Sequence, residues 1–257
     1  MILALDVGNT NIVIGCISDE KIYFVGRLST DIERTEEEHA ITFKNIIEMY
    51  GVDISEIEGA IISSVVPPLI NVLTDAVTKI TGKEPLVVGP GVKTGLNILM
   101  DNPAQLGSDQ VVDAIAALAQ YKPPLIILDM GTATTISVVD KDANYTGGLI
   151  VPGVKLAVEA LSGRTSQLPF ISLEAPKRLI GKNTIDCMKS GMIYGTAAMI
   201  DGVVERIEET LGQKATVVAT GGLGEIVTPF CKKDIIYDDN LLLKGLLLIY
   251  NKNKKGL

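Results

Sequence analysis

Three short stretches carry side chains that could do chemistry. The first is Asp6-Val7-Gly8-Asn9-Thr10-Asn11, which follows an apolar run from Ile2 to Leu5 and precedes apolar Ile12 and Val13. Glycine has no Cβ, so a bulky ligand can come close to the backbone at Gly8. Amide and hydroxyl donors clustered beside one carboxylate suit a phosphate chain and its magnesium ion. The second stretch, Asp129-Met130-Gly131-Thr132, repeats the plan after Leu125 to Leu128. The third, Gly107-Ser108-Asp109-Gln110, places a carboxylate where an apolar-periodic segment begins. Such an aspartate can satisfy a helix N-terminus or act as a rigidly held proton acceptor, and both readings stand at this level.

One Asp-x-Gly bend is also an ordinary turn. Two copies, one in each half of the chain, point to a duplicated fold that grips one ligand between its halves. The elements must then place each bend at the end of a buried strand. Alternation and apolar runs predict a hairpin over residues 2–14, with a third strand from Tyr23 to Leu28. Ser29-Thr30-Asp31 offers an N-cap to a helix over Thr35 to Tyr50. A buried strand over Ala60 to Val66 follows, with Ser63 and Ser64 near its end, then a helix over Leu69 to Ile80 and a short strand at Leu86 to Val88. Residues 89–95 read as loop, and a helix runs from Asp109 to about Gln120. Tyr121-Lys122-Pro123-Pro124 marks a boundary, so the expected domains are 1–122 and 123–257.

The second half opens on the Asp129 hairpin. Gly147-Gly148 and Pro152-Gly153 read as a bend or a cover over a small ligand, Lys155 to Leu161 as helix, and Arg164 to Pro176 as an irregular flap. A long helix follows Gly181-Lys182-Asn183-Thr184, its Met188, Met192 and Met199 packing inward, with Gly191 and Gly195 suggesting close helix contact. Thr216 to Thr220 reads as a buried strand that turns through Gly221-Gly222, where a flat ring or phosphate could press on backbone. A helix over Asn240 to Ile249 and a solvated basic tail end the chain.

Composition narrows the function. A net charge of −8 over 257 residues argues against nucleic acid, and no apolar stretch has the length of a bilayer span. Met1 leads straight into a strand, so a cytoplasmic protein is expected. The single His39, in an acidic stretch, reads as solvated, which excludes histidine-based triads. Cys16, Cys187 and Cys231 lack metal or redox spacing and read as small apolar fillers.

Two phosphate hairpins with a late Gly-Gly turn resemble the superfamily of actin, the Hsp70 chaperones and the sugar and acetate kinases. Within it the chain resembles type III pantothenate kinases over essentially its whole length. The resemblance rests on Asp6 to Thr10, Ser63-Ser-Val-Val-Pro67, Pro90 to Gly95, Asn102-Pro103, Asp129 to Thr135, Gly181 to Thr184 and Thr220-Gly-Gly222, in that order. It implies an α/β fold of two duplicated actin-like (ribonuclease H-like) domains with an active-site cleft between them. It implies transfer of the γ-phosphoryl of ATP to the primary hydroxyl of pantothenate, the first step towards coenzyme A. Asp6, Val7, Gly8, Asn9, Thr10, Asn11, Ile12, Val13, Thr132, Gly221 and Gly222 would bind ATP, with Asp6 near magnesium. Asp109 would be the proton acceptor. Met100, Gly107, Ser108, Gln110 and Thr184 would join it in contacting pantothenate. Asp129 would bind potassium or ammonium, and the protein would be a cytoplasmic homodimer.

Two positions depart from the family pattern. Gly-x-Asp-Arg becomes Gly107-Ser108-Asp109-Gln110, and Met100 stands where an aromatic residue is frequent. Arginine offers a charged fork, while Gln110 offers neutral donors. Asp109 is retained, so an active kinase is expected. The alternative is a catalytically weak or silent nucleotide-binding paralogue. An actin-like or chaperone-like machine would need more chain than is present.

Overall fold

In the computed structural model the described residues are 1–19 and 21–254. Glu20 of the charged turn after the first hairpin, and residues 255–257 of the expected basic tail, lie outside them. In chain order the elements are β1 (Ile2–Val7), β2 (Asn11–Ile17), β3 (Ile22–Ser29), α1 (Glu36–Met49), β4 (Gly59–Ser64), α2 (Leu69–Thr81), β5 (Leu86–Val87), β6 (Asn97–Ile98), α3 (Ser108–Gln120), β7 (Leu125–Met130), β8 (Ala133–Val139), β9 (Asn144–Pro152), α4 (Val154–Arg164), α5 (Thr184–Leu211), β10 (Thr216–Thr220), α6 (Gly224–Val227), β11 (Ile235–Tyr237) and α7 (Leu241–Asn253).

The duplication read from the paired aspartates is present in the sheets. One sheet has the order β3-β2-β1-β4-β5, and the other contains β9-β8-β7-β10-β11 with β6 added beyond β9. In both, the first two strands are antiparallel and the central strand then pairs in parallel with the fourth. β1 and β7 share one burial pattern: every side chain is buried except the aspartate.

The chain divides into two compact units, one of residues 1–96, 102–116 and 240–257, the other of 97–101 and 117–239. These differ from contiguous 1–122 and 123–257 chiefly in α7. Its Leu243, Leu246 and Ile249 pack with Ile2, Ala4, Ile61 and Val112 on the first sheet. Period-two alternation sends Leu3, Leu5 and Val7 to the opposite face, where they meet Phe43 and Ile47 of α1 and Leu69, Leu73 and Val77 of α2. In the second unit Ile126, Leu128 and Met130 pack with Ile193, Ala197, Ile200 and Val204 of α5.

Several local expectations change. The N-cap of α1 is Thr35, in a reciprocal capping box with Glu38, instead of Ser29 to Asp31. His39 is buried against Phe43, and among the described residues neither ring nitrogen has a hydrogen-bond partner. The three acidic residues before it face outward, so helical periodicity outweighs the charge of its neighbours. Burial holds its pKa below the usual histidine value. Gly147 and Gly148 lie inside β9, next to a register shift opposite Val138 and Val139. Among the described residues Gly191 and Gly195 have no neighbour within contact of a would-be Cβ, so the expected close helix contact is not made there. Cys187 is exposed, whereas Cys16 is buried in the first core and Cys231 packs half-buried against the second. The last helix extends through Asn253. No helix among the described residues is long and apolar enough to cross a membrane.

Candidate active site

The first unit builds its site at the ends of β1 and β4 and the start of α3. Asp6 stands opposite Val13 in β2 and in parallel register with Ser63 in β4. The bend after it closes with Gly8 N–H donating to the Asn11 carbonyl at 2.9 Å. Thr30 braces this bend from outside: its hydroxyl donates to the Gly8 carbonyl at 2.6 Å and its N–H to the Thr10 carbonyl at 3.0 Å. Asn9, Thr10 and Asn11 are exposed, as a ligand-binding tip requires. Val7 and Ile12 bury their side chains completely, so they can offer a ligand only backbone.

Asp109 lies in the first turn of α3, whose start is tied down by Ser108. The Ser108 hydroxyl donates to the Ser64 carbonyl at 3.1 Å and lies 2.9 Å from the Ser63 hydroxyl. Asp109 Oδ1 accepts from the Gln110 N–H at 2.8 Å. A Cβ at Gly107 would overlap that same oxygen, so the glycine makes room for the carboxylate. Burial raises the Asp109 pKa above its ordinary value, and the helix-start N–H groups of Gln110 and Asp109 pull partly back. Stabilising the N-terminus and holding a carboxylate in place are therefore the same arrangement here. The carboxyl is a better proton acceptor than an exposed aspartate would be.

The second unit repeats the first with changes. Asp129 stands opposite Thr135 in β8 and in parallel register with Thr220 in β10. Its bend is tighter, with Gly131 N–H donating to the Ala133 carbonyl at 3.1 Å. Thr132 is exposed at the tip, and its carbonyl accepts from Gly153 N–H at 3.1 Å. Gly221 follows Thr220 with φ +85° and packs directly on Asp129 and Met130. The missing Cβ of Gly221 is thus used by the chain itself, and Gly222 is the exposed glycine of the pair. The helix after this turn, α6, has only 4 residues, too short for a full macrodipole.

Met100 follows β6 and belongs to the second unit, apart in sequence from Gly107 to Gln110 in the first. Thr184 is the exposed first residue of α5, next to Asn183, whose side chain caps the helix by accepting from Asp186 N–H at 2.9 Å. Sequence reading missed Thr30 as a brace and Ser63 as a partner of Ser108. Thr30 read as part of an N-cap for the following helix, and the pairing of Ser63 with Ser108 spans 45 positions.

Among the described residues no group of three or more His, Cys, Asp or Glu side chains could hold a metal. Magnesium carried by a nucleotide needs only one or two carboxylates besides phosphate oxygens and water. Asp6 beside an exposed amide-rich bend fits that role.

A family model described as type III pantothenate kinase matches residues 2–206. A type III pantothenate kinase of Halalkalibacterium halodurans is 43% identical over 98% of this chain and 100% of its own. One of Moorella thermoacetica is 41% identical over 98% of this chain and 100% of its own. Among solved structures, a ROK family glucokinase of Streptomyces griseus superposes with a TM-score of 0.51 at 13% identity, covering 99% of both chains. A protein described as a Baf family transcriptional activator of Campylobacter jejuni gives 0.57 at 20% identity, covering 99% of this chain and 100% of that one. These two likenesses concern the fold, which is the duplicated actin-like α/β architecture of sugar kinases. With its family model spanning both aspartate hairpins and relatives matching end to end, the chain belongs to the type III pantothenate kinase family.

Proposed function

We propose that this chain transfers the γ-phosphoryl group of ATP to the primary hydroxyl of pantothenate, giving 4'-phosphopantothenate and ADP as the first step towards coenzyme A. The observation that carries the reading is Asp109, a carboxylate raised in pKa by burial and seated at the start of a tethered helix. Phosphoryl transfer asks a protein for positioning and charge neutralisation more than for covalent chemistry. The hydroxyl oxygen attacks the γ-phosphorus in line as the bond to the bridging oxygen of ADP breaks. Asp109 takes the hydroxyl proton.

Asp6 to Val13, with Thr132, Gly221 and Gly222, bind ATP, and magnesium, when bound, neutralises charge on its phosphates. Met100, Gly107, Ser108, Gln110 and Thr184 form the pantothenate side, with Ser108 serving through its backbone and its position because its hydroxyl is engaged by β4. Asp129 holds potassium or ammonium. A homodimeric, cytoplasmic enzyme completes the proposal, and membership of the family supports it. The test is ADP release with and without pantothenate, in potassium or ammonium against sodium. Pantothenate-dependent release that needs potassium or ammonium is expected, and no such release in any salt overturns the reading.

A further inference from the structure

Ser63 has no part in the assignments above, yet it is completely buried at the end of β4. Its neighbours in that strand, Ile61 and Ile62, are apolar, so a hydroxyl there needs a reason. The reason lies in two contacts. Ser63 is the in-register neighbour of Asp6 across a parallel pair. Alternation therefore puts both side chains on the face that also carries Ala4 and Ile61, which Val112 of α3 helps to cover. The Ser63 hydroxyl also lies 2.9 Å from that of Ser108, the residue before Asp109.

The direction of the bonds follows from counting protons. A serine hydroxyl has one hydrogen. Ser108 gives its own to the Ser64 carbonyl, so Ser63 donates to Ser108 Oγ. The end of β4 thus grips the start of α3 twice, through a backbone acceptor and a side-chain donor. Ser64 is itself held by a turn, its hydroxyl donating to the Val66 carbonyl and accepting from the Val66 N–H. Just beyond, Val65 N–H donates to the Val7 carbonyl at 3.0 Å, next to Asp6.

We propose that Ser63 is a positioning residue for the reaction: through Ser108 it fixes the Asp109 carboxylate relative to the strand end that bears Asp6. This rests on the kinase reading above. The clamp links a proton acceptor to a phosphate-binding bend inside one unit, so the distance from base to phosphate does not depend on the loop of residues 99–107. A short displacement of a catalytic group costs far more in rate than in binding.

The experiment compares wild type, Ser63→Ala, Ser108→Ala, the double variant and Ser108→Thr, with Asp109→Asn as the inactive control. Ser63→Ala should lower kcat about ten-fold, with KM for ATP changed less than two-fold. The acid limb of its kcat/KM profile should move to lower pH as Asp109 gains water. Ser108→Ala removes both bonds, so the double variant should match it within two-fold, and Ser108→Thr should restore most of the rate. Thermal unfolding of each variant identifies one that has simply not folded; for such a variant the Ser108→Thr comparison decides. Wild-type turnover with Ser63→Ala equally fast, or with the same pH profile, overturns the clamp alone. A wild type with no pantothenate-dependent turnover overturns the reaction and the clamp with it.

Discussion

Gly221 closes on Asp129: a Cβ built on this glycine would stand 2.6 Å from Asp129 Oδ1 and 2.7 Å from the backbone of Met130. Its φ of +85° is also one that L side chains rarely adopt. Gly221→Ala therefore meets strain and overlap together, and the overlap with backbone cannot be relieved by rotating a side chain. We expect a loss of about 1–3 kcal/mol in stability and a weaker response of the rate to potassium. Urea unfolding and a potassium titration of activity test this. A variant as stable and as potassium-responsive as wild type contradicts it.

Asp109→Asn should lower kcat by at least about 100-fold, the usual worth of a positioned base, while ATP binding persists. The pH sign follows from burial. The working form is ionised, and a pKa raised above 3.8 moves the acid limb of the rate to higher pH than an exposed aspartate would give. The folded state also penalises the ionised carboxylate, a cost that appears as pH rises through the unfolded value. At neutral pH the asparagine variant should thus melt no lower than wild type. An inactive variant that melts much lower would point to a structural role instead.

Thr30→Val keeps the shape of the brace but removes the hydroxyl that donates to the Gly8 carbonyl. A hydrogen bond of this kind contributes about 1 kcal/mol. KM for ATP should rise roughly five-fold with little change in KM for pantothenate. Steady-state kinetics in each substrate separates the two, and a change confined to pantothenate would place the bend elsewhere.

Glu208→Gln tests the stability of the second unit away from the chemistry. Burial alone would raise the pKa of Glu208, but bonds from Lys214, Lys233 and the Ala215 N–H outweigh it and bring the group to about 2. Its ordinary value is 4.5, so the stabilisation is present above 4.5 and is lost as pH falls towards about 2. We expect the variant to lose about 1.5–3 kcal/mol at pH 7, with the difference from wild type shrinking in acid. Unfolding curves at pH 7 and pH 3 check both parts.

Gln110→Arg places a charged fork beside Asp109 where the family pattern has one. An ionic hydrogen bond to the substrate carboxylate contributes about 1.5–3 kcal/mol. KM for pantothenate should fall by one to two orders of magnitude at similar kcat. A rise or no change would show that the wild-type site already meets that carboxylate with another group.

Much of this protein was legible along the chain. Two Asp-x-Gly bends, each after a buried apolar run, announced the duplication, and both sheets carry it in strand order and in burial. The start of α3 was legible because helical periodicity is a local property of the sequence. Of the methionines read as packing on α5, by contrast, only Met188 is buried, and Met192 and Met199 lie half-buried beside the buried face of Ile193, Ala197, Ile200 and Val204. His39 shows the limit of reading neighbours, since three glutamates beside it say nothing about the face on which it falls.

Pairings over long separations were decided only by folding. That Ser63 meets Ser108, that Gly221 lies on Asp129 and that Thr30 braces Gly8 all depend on strand register and helix docking. So does the return of α7 to the first sheet after the whole second unit has been built. Residue types set which groups could act and on which face of a strand each would stand, because alternation and helical period are written in neighbouring positions. Which distant group each one touches is chosen by packing: many apolar surfaces could have covered the first sheet, and only the close fit of complete cores selects among them.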